Sequence, residues 1–340
     1  MLEGKALTTA MAILPHLDQK EAIDLALSMD IPFWPQLPKW SFKEDMYVQF
    51  AEHFPGIIID EANKVLRFSN GSFAEELDSY LENSAVPDYF ALSEEYSSTF
   101  REFLKRELSN YPMIRGQVVG PVSFGLKVCD EDLKPMIYND FVRELLYDYI
   151  QKKIAWQYNE LEKVHPQPFV WLDEPGLEMI FNSFSGYTSE LAKKDFYGFI
   201  AGLPGPKGVH LCGNPDWSFL LNAGVNILSL DSYSWGHIFT RYVDEVHEFL
   251  KQGNIIAYGI TPTLTSELDE ENVETLYRRL LESWEFLGRH GVSEELLFDR
   301  SWLAPSRCCL INADGVESIE KSFQILKDLS QKLKDNVGDQ

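Results

Sequence analysis

The sequence is poor in cysteine, poor in positive charge, and free of long apolar runs. Four cysteines in 340 residues are too few for a disulfide framework and suit a reducing compartment. There are 30 Lys and Arg against 53 Asp and Glu, a net charge of -23. That charge argues against a nucleic-acid partner and against anionic membrane surfaces. No run of about 18 apolar residues and no signal-peptide pattern is present, so we expect a cytoplasmic protein with no membrane partner.

What the sequence does contain is a regular alternation of short β-rich runs and amphipathic helices. The candidate strands cover residues 7–13, 31–34, 114–119, 169–173, 208–211, 227–230, 255–260 and 296–300. The main helix candidates between and after them cover residues 19–29, 133–163, 189–201, 235–252, 270–289 and 316–333. This alternation predicts an α/β fold, a (β/α)8 TIM barrel, with a doubly wound open sheet as the competing topology. We expect one domain over residues 1–340.

The chain departs from this alternation between the second and third strands, at about residues 54–110. Residues 57–60 and 64–68 are predicted to form a hairpin. Helices are expected around residues 73–83 and 93–109. We interpret this insertion as a cover over one face of the barrel.

The most informative motif is Gly-Val-His210-Leu-Cys212 at the end of the fifth strand. Residues two apart on a strand point the same way, so His210 and Cys212 are expected to project together. Cys308 lies far downstream and could add a third donor. One His and two Cys form a zinc set that leaves a fourth position open, as in catalytic sites. On this motif alone, packing of a small buried thiol is an equal alternative.

Polar residues also follow the other strands at the same expected mouth of the barrel, where such folds carry their chemistry. The motifs are Gly116-Gln117-Val118-Val119-Gly120-Pro121-Val122, Leu172-Asp173-Glu174-Pro175, His210-Leu211-Cys212 and Cys308-Cys309-Leu310. Together they resemble the C-terminal catalytic barrel of cobalamin-independent methionine synthase. The wider superfamily includes uroporphyrinogen decarboxylase and methylcobalamin:thiol methyltransferases. The resemblance covers nearly the whole chain.

The resemblance implies one zinc ion per chain, held by His210, Cys212, Cys308 and Asp231. Asp231 is one methylene shorter than the glutamate usual in the family. It could therefore orient a ligand or the substrate, or cap the following helix, without binding the metal. The resemblance also assigns the catalytic positions to Asp173, His210, Cys212 and Cys308.

Recognition of the thiol substrate is implied for Asp173, Gln36 and Asp231. Asp173 matches the family residue that pairs with the amino group of homocysteine. Gln36 stands where the family has a glutamate, so an ammonium would meet a neutral amide there. Ile13 stands where the family has a serine, which removes one more substrate contact.

The methyl donor is where the chain departs furthest from the folate-using enzyme. That enzyme carries an Asp and a His after its seventh strand, and the matching positions here are Tyr258 and Ile260. A folate nitrogen needs an acid that this chain lacks, whereas a methyl-corrinoid needs none. The sequence therefore predicts methyl transfer from a corrinoid, either free or carried by a corrinoid protein, to a thiol, with homocysteine as the first candidate for that thiol.

Three alternatives stay open at this point: transfer to another thiol such as coenzyme M, a decarboxylase similar to uroporphyrinogen decarboxylase, and a barrel that binds zinc without catalysis. The decarboxylase grips its substrate with arginines near the N-terminus, and the first arginine of this chain is Arg67.

Overall fold

A computed structural model describes residues 2–180, 187–307, 312 and 314–337. The strands of this part are β1 (Leu7–Thr8), β2 (Ile57–Asp60), β3 (Val65–Phe68), β4 (Ile114–Val119), β5 (Pro168–Asp173), β6 (Lys207–Leu211), β7 (Ile227–Leu230), β8 (Ile255–Thr261) and β9 (Ser301–Pro305). Its α-helices are α1 (Gln19–Ala26), α2 (Met46–Gln49), α3 (Asn70–Asn83), α4 (Ser98–Leu104), α5 (Pro121–Lys127), α6 (Asp140–Glu162), α7 (Leu177–Ile180), α8 (Ser189–Ala201), α9 (Trp217–Leu221), α10 (Ser232–Phe239), α11 (Val243–Lys251), α12 (Thr265–Leu268), α13 (Val273–Arg289), α14 (Glu294–Asp299) and α15 (Glu317–Val337). Short 3-10 turns lie at Phe42–Glu44, Pro87–Phe90 and Met136–Tyr138.

The centre of the fold is a curled, seven-stranded parallel sheet with the order β1-β9-β8-β7-β6-β5-β4. Strands β4, β5, β7, β8 and β9 are buried along their whole length. Both faces of a parallel sheet are covered in this way because helical crossovers pack against it. The α/β class and the parallel sheet predicted from the sequence are confirmed.

The predicted second strand, residues 31–34, does not form a regular strand, so the sheet of the described residues has seven strands and not the predicted eight. The segment 31–36 instead bonds irregularly to both edge strands. Ile31 N donates to Thr8 O at 2.9 Å, Phe33 pairs with Arg115, and Gln36 pairs with Ile13. Pro32 and Pro35 interrupt this segment, and because proline has no N–H it cannot continue a ladder of hydrogen bonds.

The predicted last strand, residues 296–300, is also wrong. Most of it lies in helix α14, and the strand follows as β9. Ser293 caps the helix by accepting from Leu296 N at 3.3 Å, and Glu294 and Glu295 lie in its first turn. A capping serine and early acidic residues stabilise a helix start, and they override the short apolar run that resembled a strand.

The insertion contains the predicted hairpin, with β2 and β3 pairing antiparallel. Its helices are α3 and the shorter α4. Elsewhere the predicted helix 235–252 is two helices, α10 and α11, and α6 begins only at Asp140 because Asn139 caps it.

Residues of the strands, together with Ile31 and Met113 beside them, form a buried cluster separate from the one that includes the helices. This cluster consists of Ile31, Met113, Phe169, Trp171, Ile227, Ile255, Ala257 and Trp302. Side chains fill the inside of the curled sheet, as in barrel cores. Helices in the described ranges are all too short or too polar to cross a membrane.

Candidate active site

Three polar side chains lie side by side at the carboxyl ends of neighbouring strands. In the parallel register, Asp173 of β5 is opposite His210 of β6, and His210 is opposite Ser229 of β7. Residues opposite one another in a sheet share a face. The structure therefore brings together the predicted residues Asp173 and His210, and adds Ser229, which the sequence did not single out.

His210 is buried, with only 1% of its surface exposed. Its Nδ1 lies 2.9 Å from Ser229 Oγ. Burial first, and the charge of Arg115 second, lower the pKa of His210 to about 3. The imidazole is thus neutral and oriented by Ser229, which is the form that binds a metal through its other nitrogen.

Cys212 follows β6 by one residue and is half-buried. Burial, then the charges of Asp173 and Asp231, raise the pKa of its thiol to about 12, against an opposing influence of Arg307. By itself this thiol is protonated at neutral pH. Two carboxylates acting on one thiol make a negative environment that favours a bound cation.

Asp231 caps helix α10, and its Oδ1 accepts from Ser234 N at 2.8 Å. Its other oxygen, Oδ2, lies 3.9 Å from Arg307 Nε. Arg307 in turn donates to both carboxylate oxygens of Glu267, at 3.2 and 3.3 Å. Asp231 thus has the capping role that was the alternative to direct ligation, and it faces a cation besides.

In the described part of the chain, no three His, Cys, Asp or Glu side chains converge closely enough to hold a metal. Cys308, the predicted downstream ligand, lies outside the described residues, as does its neighbour Cys309. The zinc set of His210, Cys212, Asp231 and Cys308 therefore stays a prediction. The neutral imidazole and the negative surroundings of Cys212 fit it, and Asp231 is its least suitable member.

A buried arginine that the sequence analysis missed lies inside the sheet beneath these groups. Arg115 of β4 donates through Nε to Thr9 Oγ1 at 3.1 Å. Its guanidinium lies 4.9 Å from the ring centre of Phe33 and 4.5 Å from that of Trp171. Burial raises the pKa of Asp173 to about 7, and the charge of Arg115 acts in the opposite direction. The signal in the sequence was a charged residue within an otherwise uncharged strand.

Gln36 is buried and held by a chain of amides. Its Nε2 donates to Gln49 Oε1 at 2.6 Å, and Gln49 Nε2 donates to Tyr96 O at 2.8 Å. Gln36 Oε1 has no hydrogen-bond partner in the described structure. An ammonium group donates hydrogen bonds, so an unpaired acceptor is what a substrate amine would require. The hydrogen bond that the described structure gives the Gln36 side chain is to Gln49 and not to Asp173.

Comparison with known proteins supports the fold of this chain and does not show its activity. No model of a known protein family matches the chain, and no curated protein matches it. Several solved structures share this fold, including these two. A methyltransferase from Methanosarcina mazei superposes with a TM-score of 0.60 at 13% identity, over 98% of this chain and 94% of that one. A B12-independent methionine synthase from Shewanella sp. W3-18-1, in complex with selenomethionine, superposes with a TM-score of 0.55 at 12% identity, over 99% and 98%.

These structures are similar to this chain in architecture, which supports the α/β fold with a curled parallel sheet. At such identities the likeness concerns the fold, and the residues of the site have to be argued from their own geometry.

Tyr258 and Ile260, which stand where the folate-using enzyme has its Asp and His, do not face an open site. Tyr258 is buried, and its ring lies 6.0 Å from that of Trp284 on helix α13. Ile260 is equally buried in the core that includes the helices. Both side chains of strand β8 therefore pack in the core.

His16, after β1, is another residue to which the sequence analysis gave no role. It is buried, and neither ring nitrogen has a hydrogen-bond partner in the described structure. Burial lowers its pKa, while Glu320, Glu21 and Asp18 oppose that shift.

Glu174, beside Asp173, holds the neighbouring loop in place. Its two oxygens accept from Val122 N at 3.0 Å, from Ser123 N at 2.8 Å and from Ser123 Oγ at 2.6 Å. These donors lie in the first turn of α5, where backbone N–H groups have no partner within the helix. Gly120 permits the approach, since a Cβ there would lie 2.0 Å from Glu174 Oε1.

We expect Glu174→Ala to destabilise the protein by about 3 kcal/mol, because it leaves buried donors without an acceptor. Glu174→Gln, which keeps one acceptor oxygen, is expected to cost about 1 kcal/mol. Urea unfolding midpoints measure both losses. Equal stability of the alanine variant and the parent would contradict this structural role.

Proposed function

We propose that this chain is a zinc-dependent methyltransferase that moves a methyl group from a methyl-corrinoid to the sulfur of homocysteine, giving methionine. The observation that carries the proposal is the cluster at the carboxyl ends of β5, β6 and β7. Asp173 and His210 are in register there, Cys212 follows His210 by two residues, and Asp231 acts on the Cys212 thiol. A histidine and a cysteine so placed beside carboxylates suit a thiol-alkylating zinc site.

His210 and Cys212 would hold the metal, with Cys308 as a further ligand. When bound, zinc supplies the positive charge that lets a thiol lose its proton near neutral pH. Ser229 fixes the imidazole by its contact with Nδ1. We assign Asp231 to the edge of this site, where it keeps Arg307 in position.

The amino group of the acceptor would bind at Asp173, with Gln36 Oε1 as a neutral second acceptor. Burial of Asp173 strengthens an ionic contact, because water competes poorly there. Arg115 opposes the rise in the pKa of Asp173, which favours the charged carboxylate that an ammonium needs. We also infer that segment 31–36, bonded to both edges of the sheet, occupies the place of an eighth strand and positions Gln36.

A methylcobalamin assay against a panel of thiols tests this function. We expect zinc in the purified protein and methyl transfer to homocysteine ahead of coenzyme M. Decarboxylation without zinc would favour the uroporphyrinogen decarboxylase alternative. Zinc without turnover on any thiol, with a methylated corrinoid protein also tried, would indicate a barrel that binds metal only.

We expect Asp173→Asn to lower the use of homocysteine about 10- to 150-fold, the effect of losing a hydrogen bond to a charged group. A simple alkyl thiol has no amine, so its turnover should change much less. The ratio of kcat/KM for the two thiols measures the difference. An equal loss on both thiols would remove the case for amine recognition.

A further inference from the structure

The proposed function assigns no partner to the carboxylate of the amino-acid acceptor. Asp173 and Gln36 are assigned to its amino group, and Ile13 stands where the family has a serine that contacts the substrate. A guanidinium matches the two oxygens of a carboxylate well, because it can donate two parallel hydrogen bonds. The structure places a guanidinium, that of Arg307, at the same end of the curled sheet as the candidate site.

Arg307 follows strand β9 by two residues and extends toward the ends of β8 and β7. Its Nη2 donates to Glu267 of helix α12, which follows β8, at 3.2 and 3.3 Å. Its Nε lies 3.9 Å from Oδ2 of Asp231, the residue directly after β7. Within the three residues after each strand of the described parallel sheet, the sequence has no other lysine or arginine. Arg307 is therefore the cation that the strand ends themselves provide.

The guanidinium of Arg307 keeps hydrogen-bond donors for a ligand. It has five N–H groups, and its hydrogen bonds to described residues leave from Nη2 alone, toward Glu267. Its Nε is buried and has no hydrogen-bond partner among the described residues, because the 3.9 Å to Asp231 is too long for one. A buried N–H without an acceptor is costly and uncommon in native proteins. A ligand carboxylate would supply the acceptor.

The acidic neighbours of Arg307 leave it accessible. Its side chain is 32% exposed and that of Glu267 is 28% exposed, so solvent weakens the ion pair between them. Asp231 is buried, and its Oδ1 caps helix α10 by accepting from Ser234 N at 2.8 Å. A ligand carboxylate can therefore reach the guanidinium from solvent while the capping by Asp231 stays in place.

Arg307 also lies close to the proposed position of the substrate sulfur. The charges of Asp173, Asp231 and Arg307 all act on the Cys212 thiol, and Arg307 is the one that lowers its pKa. These three charged groups therefore surround a common point at the ends of the strands. In homocysteine, the carbon that carries the ammonium and the carboxylate is only two methylene groups from the sulfur. Both charges of the substrate must therefore be recognised near the metal site.

We propose that Arg307 binds the carboxylate of the amino-acid acceptor and makes the site specific for thiols that carry one. The inference rests on the proposed function and deepens it. The guanidinium donates to the carboxylate while Asp173 accepts from the ammonium, so the two charges of the amino acid are held by two oppositely charged side chains. Arg307 thus supplies, as a charged donor, the contact that is lost with Ile13.

Calorimetric titration of the full chain with three methyl thioethers tests this contact without requiring turnover. The ligands are methionine, methylthiobutanoate, which is methionine without its amino group, and methylthiopropylamine, which is methionine without its carboxylate. In Arg307→Gln we expect both carboxylate ligands to bind about 10- to 150-fold more weakly, the effect of losing a hydrogen bond to a charged group. The amine should bind as it does to the parent.

Two further variants serve as controls. Arg106→Gln is matched to Arg307→Gln, because Arg106 of the insertion is also ion-paired, with Asp24, and its side chain is 30% exposed. It should change the binding of none of the three ligands. Arg307→Lys keeps the charge but not the paired donors, so it should weaken the carboxylate ligands less than Arg307→Gln does.

Glu267→Gln separates ligand binding from a purely structural ion pair. Removing the competing charge should let both carboxylate ligands bind at least as tightly as they bind to the parent. If the pair of Arg307 and Glu267 only shapes the mouth, both glutamine variants should weaken all three ligands alike, and the proposal is then wrong. It is also wrong if the parent does not bind methionine saturably, or if Arg307→Gln binds methionine as well as the parent does.

The same variants distinguish a failure of this proposal from a failure of the proposed function. If the parent methylates homocysteine and Arg307→Gln leaves its kcat/KM unchanged, the methyltransferase stands and the role of Arg307 is refuted. If no thiol is methylated but the thioethers bind in the expected pattern, the proposed reaction is refuted and Arg307 stands as a carboxylate-binding residue.

Discussion

Cys212→Ser is expected to lower the affinity for zinc by at least about 100-fold and to abolish methyl transfer with it. A serine hydroxyl does not ionise near neutral pH and is a poor zinc ligand, whereas a thiolate is among the best. Substitutions of groups that only support zinc ligands already cost about 10- to 100-fold, so loss of a direct ligand should cost more. Metal content of the purified protein and competition with a chromophoric chelator measure the effect.

Cys129→Ser is the matched control. Cys129 forms an isolated bridge with Pro135, its Sγ is 3.9 Å from Lys127 O, and no predicted ligand is near it in the sequence. The parent and this control should each hold about one zinc per chain, as a catalytic site with protein ligands does. Retention of full zinc affinity by Cys212→Ser would refute the metal site.

A second pair of variants tests which of the two adjacent cysteines is the downstream zinc ligand. Cys308→Ser should lose zinc and Cys309→Ser should keep it. The reverse result would move the ligand by one residue and leave the proposed chemistry intact.

The periodic parts of the fold could be predicted from the sequence, and the irregular parts could not. Strands β4 to β8 are apolar runs between amphipathic helices, and their positions follow from that pattern. Residues 31–36 have the same composition, but their two prolines prevent a regular ladder. The strand predicted for residues 296–300 was wrong for a different reason, because the capping of a helix by Ser293 was not weighed against the apolar run.

The candidate site divides in the same way. That Asp173 and His210 would be neighbours follows from parallel strands ending at one edge, and the register confirms it. The contact of Ser229 with His210 and the position of Arg115 depend on which strands are adjacent and how far they are staggered. Those are tertiary facts that a strand pattern does not contain.

The second large effect concerns the methyl donor. We expect turnover with methylcobalamin or a methylated corrinoid protein, and a rate lower by at least about 10²–10⁴-fold with methyltetrahydrofolate, the range that general acid help supplies. Methyltetrahydrofolate needs a proton on its leaving nitrogen. In this chain Tyr258 packs against Trp284 and Ile260 is buried, so neither position offers an acid.

The variant Ile260→His tests whether a single histidine at this position is enough for use of methyltetrahydrofolate. The substitution puts an imidazole into a buried apolar position, where an unpaired polar group costs about 1–3 kcal/mol. We therefore expect a less stable protein and no gain of folate turnover. Parallel assays of one corrinoid-free preparation with both donors, and unfolding of the variant, decide the matter. Efficient methionine formation from methyltetrahydrofolate by the parent would overturn the donor assignment, because it would require an acid elsewhere at the mouth. His16 would then be the first residue to substitute, since it is buried after β1 and both of its nitrogens are unpaired among the described residues.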